Sequence, residues 1–531
     1  MSEAAAFDAL VSDFYRVWFR YHPVGAIYAG VPGYEGLMNP VGDDDIGALS
    51  HLLSNLLVGL SELDYAALDP DRQLDLQLIY GAVIIEHRIL LECDWRHRDP
   101  AKYLPLWSLQ ELVVRQPERL CDALTGILEK TPNYMRDARG RLGELPELIS
   151  TLWLADALEL AEKGVPWLKR LGRDLPQTRE CCSNMGRLQI LASQAAEAIE
   201  DYRDKLVNDL ASSASGDADC GRELLDWLLK HRDQLDLSTT EALAYTQRRL
   251  RQVYSELAQQ GLTQEQLKAG SGEPLSGDLR LQTYRREAAR LRDFLARESL
   301  LPLTEQPLAF RVTDSCFRQP DCGSYLRSDS GGTFLVPHDQ QLGGGESLPA
   351  IRMRILHGAW AGHHYLAWAG DVPAHSLVRQ INPSTAFKRG WTHYMVRLLE
   401  ARGYFSEEDR LVLYQRRLAL AEQALVDLRF HAGEIDSRQA LKRLKSLSDI
   451  PNWAEMSLTA ISRRPTDAFM TLLGADLIEQ LAYRCSEQDP AMTPAAFHER
   501  LLATGPVALP LVVQRVFGAE LWQATLKQVL G

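Results

Sequence analysis

Apolar residues recur at three- and four-residue steps through almost the whole chain, a period that builds amphipathic helices. Phe7, Leu10, Val11, Phe14 and Trp18 set this pattern over residues 5–20. The His22-Pro23 step should stop that helix, because a residue before proline is pushed out of the α region. A loop rich in Gly, Pro and Asp follows, from Tyr28 to Asp45. Asp43, Asp44 and Asp45 are placed to cap a helix whose stripe is Ile46, Leu49, Leu52, Leu53, Leu56 and Leu57. Helical spacing resumes over residues 70–94, 107–128, 130–163 and 184–210. Pro146 starts or kinks one of these segments, and Gly164-Val-Pro separates the next. Ala211-Ser-Ser-Ala-Ser-Gly-Asp217 reads as a flexible connector. Ser238, with Glu241 three residues on, marks a helix start. Gln282 to Ser299 is an arginine-rich helix whose charges suit a solvated face.

One segment departs from this period. Residues 301–345 carry Pro, Gly, Ser and β-branched residues, including Ala309-Phe-Arg-Val and Gly332-Thr-Phe-Leu-Val. They read as two or three short strands joined by glycine turns. The expected fold is therefore mainly α, a large multi-helix unit with a small β-hairpin insert. Its parts are an N-terminal helical region (1–300), the insert (301–346) and a C-terminal helical region (347–531), within one compact unit.

Composition narrows the function classes. A chain of 531 residues, 46% hydrophobic and 24% charged, can bury a large globular core. A net charge of −13 argues against a general nucleic-acid surface. No uncharged apolar run reaches the roughly 18 residues of a membrane span. The eight cysteines include no C-x-x-C pair, and Cys181 and Cys182 are adjacent. Reduced thiols are expected, and with no basic, apolar leader at the start the cytoplasm is the expected compartment. No G-x-G-x-x-G or Walker A loop occurs.

Three of the 13 histidines, His357, His363 and His364, fall between Arg354 and Tyr365. On an uninterrupted helix His357 and His364 would share a face, off by about 20°, with His363 turned away. Clustered imidazoles suit a metal or acid–base site, and equally a hydrogen-bonded core. The zinc signature H-E-x-x-H is not met, since Gly358 follows His357 and Ala361 holds the i+4 position. Further on, Arg389 and His393 stand one helical turn apart, beside Tyr394. Asp427 and His431 lie at i,i+4, a spacing that either orients an imidazole or makes an ion pair. Arg463-Arg-Pro-Thr-Asp-Ala-Phe leads into a helix that ends near Gly474.

In this order the motifs resemble the domain of unknown function 885 family, mainly helical, metallopeptidase-like bacterial proteins. The family pattern is H-E-A-x-P-G-H-H, then E-G-W-A-x-Y, then V-V-D-x-x-x-H, then P-G-Q-A and a glycine. His357, Ala359, Gly362, His363 and His364 match the first; Gly390, Trp391 and Tyr394 the second. Val426, Asp427 and His431 match the third, and Pro465, Ala468 and Gly474 the last. His22-Pro23 and the loop as far as Tyr34 are also similar. The resemblance implies a zincin-like fold.

The departures from the pattern decide the expected function. Gly358 stands where the family has its general base, and Arg389 where it has an acidic metal ligand. Ala361 replaces the proline of the first motif, Asp467 the glutamine of the last, and Leu472 a residue often polar. Losing the base alone should cost roughly 10²–10⁴-fold in rate. A guanidinium repels a dication, and a catalytic zinc needs three protein ligands. The first expectation is thus a hydrolytically degenerate protein, a pseudoenzyme without cofactor. Its cleft, lined by His357, His364, Arg389, His393, Tyr394 and His431, would bind a peptide-like or carboxylate-bearing ligand. Arg389 would contact the anion, with His393, Tyr394 and His431 as further ligand contacts. The partner would be that small ligand, with neither nucleic acid nor membrane. The competing expectation is an active hydrolase with a rebuilt histidine-rich site, acting on a small amide or amino-acid derivative. Its divalent metal, such as zinc, would sit on His357, His393 and either His363 or His364. A metal-free version would use His357, Tyr394, Asp427 and His431. A third is a helical scaffold that works through its surface.

Overall fold

The computed structural model describes residues 2–174, 185–269, 272–314, 316–317, 324–328, 331–369 and 376–531. The chain forms two compact units, Met1–Ala218 and Asp219–Gly531. Their boundary comes immediately after the Ala211–Asp217 connector. Residues 219–300, the strand-bearing insert and the C-terminal helices share the second unit. No helix among the described residues is long and apolar enough to cross a membrane.

The first unit is helical. Its longer helices are Glu3–Tyr21, Asp43–Ser61, Pro70–Glu92, Leu120–Glu144, Thr151–Asp174 and Met185–Lys205. The Phe7, Val11 and Phe14 stripe is buried as its spacing requires. Pro23 ends the first helix and at once begins another, Pro23–Ala29, because proline at a helix start has no amide hydrogen to lose. Gly42 caps the next helix. Asp43, Asp44 and Asp45 occupy its first turn, where the helix dipole favours negative charge. Gly164 does not separate two helices: Thr151–Asp174 runs through both Gly164 and Pro166. A Cβ at Gly164 would come within 2.3 Å of Leu106 Cδ1, so this glycine serves close packing and not a stop. Cys121 stands in a disulfide, while Cys93, Cys220, Cys316 and Cys485 are not disulfide-bonded. That corrects the expectation of wholly reduced thiols, and cysteine usage no longer argues for the cytoplasm. Cys181, Cys182 and Cys322 lie outside the described residues.

In the second unit, Ser238 and Glu241 make a reciprocal capping box at the start of helix Thr239–Gln259. The insert forms β1 (Leu308–Val312), β2 (Ser324–Ser328) and β3 (Gly331–Val336), in the order β1-β3-β2. The two stretches read as strands are β1 and β3, and the hairpin is made by β3 with β2, a strand the sequence reading did not place. β1 adds a parallel edge strand, with Phe310 opposite Phe334. Both rings pack against Tyr284 of the arginine-rich helix Gly277–Arg297, at 6.0 and 6.1 Å between centroids. That helix is not solvated on every charge. Arg280 is fully buried and donates to the Pro337 carbonyl, and buried Glu287 pairs with Arg352 at 3.0 Å.

Two helices fix the centre of this unit: Thr385–Ala401, called here the Arg389 helix, and Asp467–Gln488. They meet backbone to backbone. A Cβ on Gly390 would come within 2.6 Å of the Gly474 carbonyl carbon, and a Cβ on Gly474 within 2.1 Å of the Ala386 oxygen. Side chains at either point would force the helices apart. Gly474→Ala should therefore lower unfolding free energy by about 1–3 kcal/mol, the usual cost of overpacking. Denaturant unfolding of the purified chain measures this, and an unchanged midpoint would refute the close contact.

Candidate functional site

The histidine motif does not form one helix. Helix Leu348–Gly358 ends, residues 359–362 turn, and a short helix His363–Trp368 begins. Ala359 (φ −100°, ψ −136°) and Gly362 (φ −121°, ψ −130°) break the α geometry. The expected seven-residue register between His357 and His364 is lost with it. Sterics explain the break. A Cβ on Gly362 would lie 1.9 Å from the His357 carbonyl oxygen. The buried Trp391 indole donates to the Ala361 carbonyl at 2.9 Å and pins the turn to the Arg389 helix.

His364 therefore faces the sheet. Its Nε2–H donates to the Gln306 carbonyl at 3.0 Å, which fixes the tautomer and leaves Nδ1 to accept from the Tyr325 hydroxyl at 3.1 Å. The Tyr325 oxygen accepts in turn from Trp368 Nε1–H. Both nitrogens are committed, and burial pushes the imidazole down to about 4. His364 is a neutral structural residue, which corrects its assignment as a metal ligand and cleft residue.

The other motif histidines lie elsewhere. The His357 and His393 rings meet edge to face, 4.7 Å between centroids, bringing the first motif to the second. His363 is partly buried, and burial, Lys388, His357 and Arg389 hold its pKa well below the usual histidine range. Lys388, also partly buried, is lowered by burial and by Arg389. Neither the Lys388 nor the His363 side chain makes a hydrogen bond or ion pair with a described residue. Sequence reasoning passed over Lys388, although its place beside Arg389 was a visible signal. Among the described residues, no three His, Cys, Asp or Glu side chains are grouped to hold one metal ion. The three-histidine arrangement expected from His357, His363, His364 and His393 is not assembled there.

Nor do Asp427 and His431 form an acid–base pair. Both are fully buried, and the Asp427 carboxylate stands 3.9 Å from His431 Nε2, beyond hydrogen-bond range. His431 Nε2–H donates to the Ile461 carbonyl, and its Nδ1 accepts the Cys220 amide. Asp427 accepts the amides of Thr466, Ala468 and Phe469 at 3.0–3.2 Å, the start of helix Asp467–Gln488. The third motif is thus a cap for the fourth. It holds Thr466 at φ +69°, an unfavourable left-handed conformation for a β-branched residue, where the family pattern has glycine.

Tyr394 is committed too. His498 Nδ1–H donates to the Leu300 carbonyl, so His498 Nε2 accepts the Tyr394 hydroxyl proton at 2.8 Å. His498 lies 104 positions from Tyr394, and no motif signalled it. Of the expected site residues, the structure packs His357 on His393 and puts Arg389 in the electrostatic surroundings of His363. Tyr394, His364 and His431 serve packing networks.

One further side chain meets the motif. A Cβ on Gly358 would lie 2.0 Å from Phe334 Cε2, so the β3 phenylalanine ring fills the space where a side chain at 358 would begin. Only the fold reveals this contact.

Comparison with known proteins gives a family and two structural relatives. The model of DUF885, described as bacterial protein of unknown function, matches residues 23–516. A candidate lipoprotein of unknown function from Shewanella oneidensis is 16% identical, with a TM-score of 0.70. The match covers 97% of this chain and 99% of that one. A candidate lipoprotein from Colwellia psychrerythraea is 15% identical, with a TM-score of 0.76 over 100% of this chain and 99% of that one. At these identities the likeness concerns the fold. No curated protein matches.

The buried titrating groups set an acid response. Burial lowers His364, His431 and His498 to about 4 from the ordinary 6.5, so each contributes stability above pH 6.5 that is lost as pH falls towards 4. Asp427 acts oppositely. Burial, against three amides, raises it from 3.8 to about 7, so its contribution is lost as pH rises. Three groups oppose one, and net stability should fall between pH 6.5 and 4. Denaturant unfolding across that range tests this: His498→Gln should give a shallower slope, and a flat wild-type profile would contradict the assignment.

Proposed function

The chain belongs to the DUF885 family, and from that premise we propose that it is a zincin-like scaffold whose hydrolytic centre has become a carboxylate-binding site. One observation carries this reading. Lys388 and His363, without a hydrogen-bond or ion-pair partner among the described residues, are electrostatic neighbours beside Arg389 and His357. His393 stands against His357. Burial and mutual repulsion disfavour positive charge on Lys388 and His363, and an arriving carboxylate relieves both penalties. Arg389 offers a planar fork that suits a carboxylate, and Lys388 a point charge. The ligand class is a peptide-like molecule with a free carboxylate.

The loss of hydrolysis has a steric side. The resemblance places the family's general base at position 358, and here Phe334 blocks any side chain at that point. Loss of the base cannot be reversed by one substitution. The ligand contacts proposed are Arg389, Lys388, His363 and His393; Tyr394 and His431 are not among them, because their polar atoms are already engaged.

Two outcomes are expected. Calorimetric titration should show binding of an N-acetyl dipeptide with a free C-terminal carboxylate, and no binding of its carboxamide. Lys388→Met and Arg389→Met should each weaken that binding about tenfold, the worth of one charge-assisted bond. Equal affinity for acid and amide, or turnover of the peptide bond, would defeat the proposal. Separately, Gly358→Glu should lower stability by about 3 kcal/mol through overlap with the Phe334 ring. Phe334→Gly removes a buried ring and is destabilising by itself, so in a double-mutant cycle the two substitutions together should cost clearly less than the sum of their separate costs.

A further inference from the structure

A second recognition site lies between the edge strand β1 and helix Gly277–Arg297. A cavity of about 440 Å³ opens there, lined by Leu308, Ala309, Phe310 and Arg311 on the strand side. Arg285, Ala288, Ala289 and Arg292 line the helix side, at three- and four-residue steps along one face, and Trp360 adds an aromatic wall. Four consecutive strand residues along one wall make the space a groove that follows the strand.

Two features specify what the groove can hold. The first is its backbone. Among the described residues β1 pairs with β3 alone. The Thr313 amide donates to Val336, and the Pro307 carbonyl accepts from Gly332, so odd-numbered residues of this stretch point toward β3. In a parallel ladder the intervening residues Leu308, Phe310 and Val312 then direct both N–H and C=O away from the sheet. The second is charge. The Arg285 and Arg311 side chains are exposed and make no hydrogen bond or ion pair with a described residue. Arg292 lies 4.7 Å from the Trp360 ring centroid, and its one carboxylate partner, at 3.2 Å, is the exposed Glu305. One charged side chain on an edge strand serves to block aggregation. Two more guanidiniums on the facing helix, with a cavity between, make a receptacle.

We infer that this groove binds an acidic peptide in extended conformation, added as a strand to the free edge of β1. Main-chain bonds to Leu308 and Phe310 supply register, and Arg285, Arg292 and Arg311 read carboxylate side chains. The alternating geometry of a strand presents every second side chain to one face, so the preferred sequence alternates acidic and β-branched residues. The site does not depend on the Arg389 proposal, which the short carboxylate probe tests by itself.

Fluorescence anisotropy of the full chain with a fluorescein-labelled alternating Val-Glu octapeptide tests this inference. Saturable binding is expected, with a Val-Lys octapeptide at least tenfold weaker. The Arg285→Glu, Arg311→Glu double variant changes two exposed side chains and should keep the wild-type unfolding midpoint while losing at least tenfold in affinity. Val-Glu octapeptides N-methylated at alternate residues are made in both frames, and at least one should bind at least tenfold more weakly. No binding of the Val-Glu peptide, equal binding of the Val-Lys peptide, or full affinity in the folded double variant would overturn the inference. Full affinity of both N-methylated peptides would overturn the strand-addition mode.

Discussion

The backbone contact between Gly390 and Gly474 is the constraint on which the second unit depends. With no side chain at either point, the Arg389 helix and helix Asp467–Gln488 approach closer than any other pair of residues there would allow. That closeness lets the Trp391 indole reach the Ala361 carbonyl and hold the turn after Gly358. It also sets the start of helix Asp467–Gln488, where Asp427 gathers three amides. The four motifs thus hold one another: the second packs on the fourth, ties the first, and the third caps the fourth. Each contact is steric or a side-chain hydrogen bond to a backbone group, and none of them uses Lys388, Arg389 or His363.

The same contacts bear on the polar positions of the motifs. A glutamate following His357 would need space that Phe334 now fills. Position 389 carries a guanidinium, and Lys388 and His363 place further basic groups in the same environment. Several basic groups in a partly dehydrated place cost free energy in the absence of an anion, which is a common property of binding sites as opposed to packing sites. The packing histidines show the contrast. His364, His431 and His498 are neutral, with both ring nitrogens bonded, and each holds two distant segments together.

Much of the architecture was legible in the residues. The helical period placed helix Glu3–Tyr21 and helix Pro70–Glu92 nearly to the residue, and the Ser238 capping box was found as read. The loss of that period located β1 and β3, though neither β2 nor the parallel pairing of β1 with β3. Gly164 misled, because a glycine inside a helix looks the same in sequence whether it stops the helix or admits Leu106. The site was less legible. The i,i+4 spacing of Asp427 and His431 is real, yet it cannot say where their lone pairs go. The answer lies in amides and carbonyls from residues 220, 461 and 466–469.

The sequence by itself determined that this chain is helical with a small sheet, that its histidine motif lacks glutamate at 358 and 389, and that it belongs with DUF885. Those properties depend on residue type and local spacing, which the order of amino acids contains directly. Tertiary structure alone decided which imidazoles are spent on packing and that a phenylalanine from β3 lies against position 358. Each of these is a contact between segments far apart along the chain, set by how closely two backbones approach, and local spacing carries no measure of that distance.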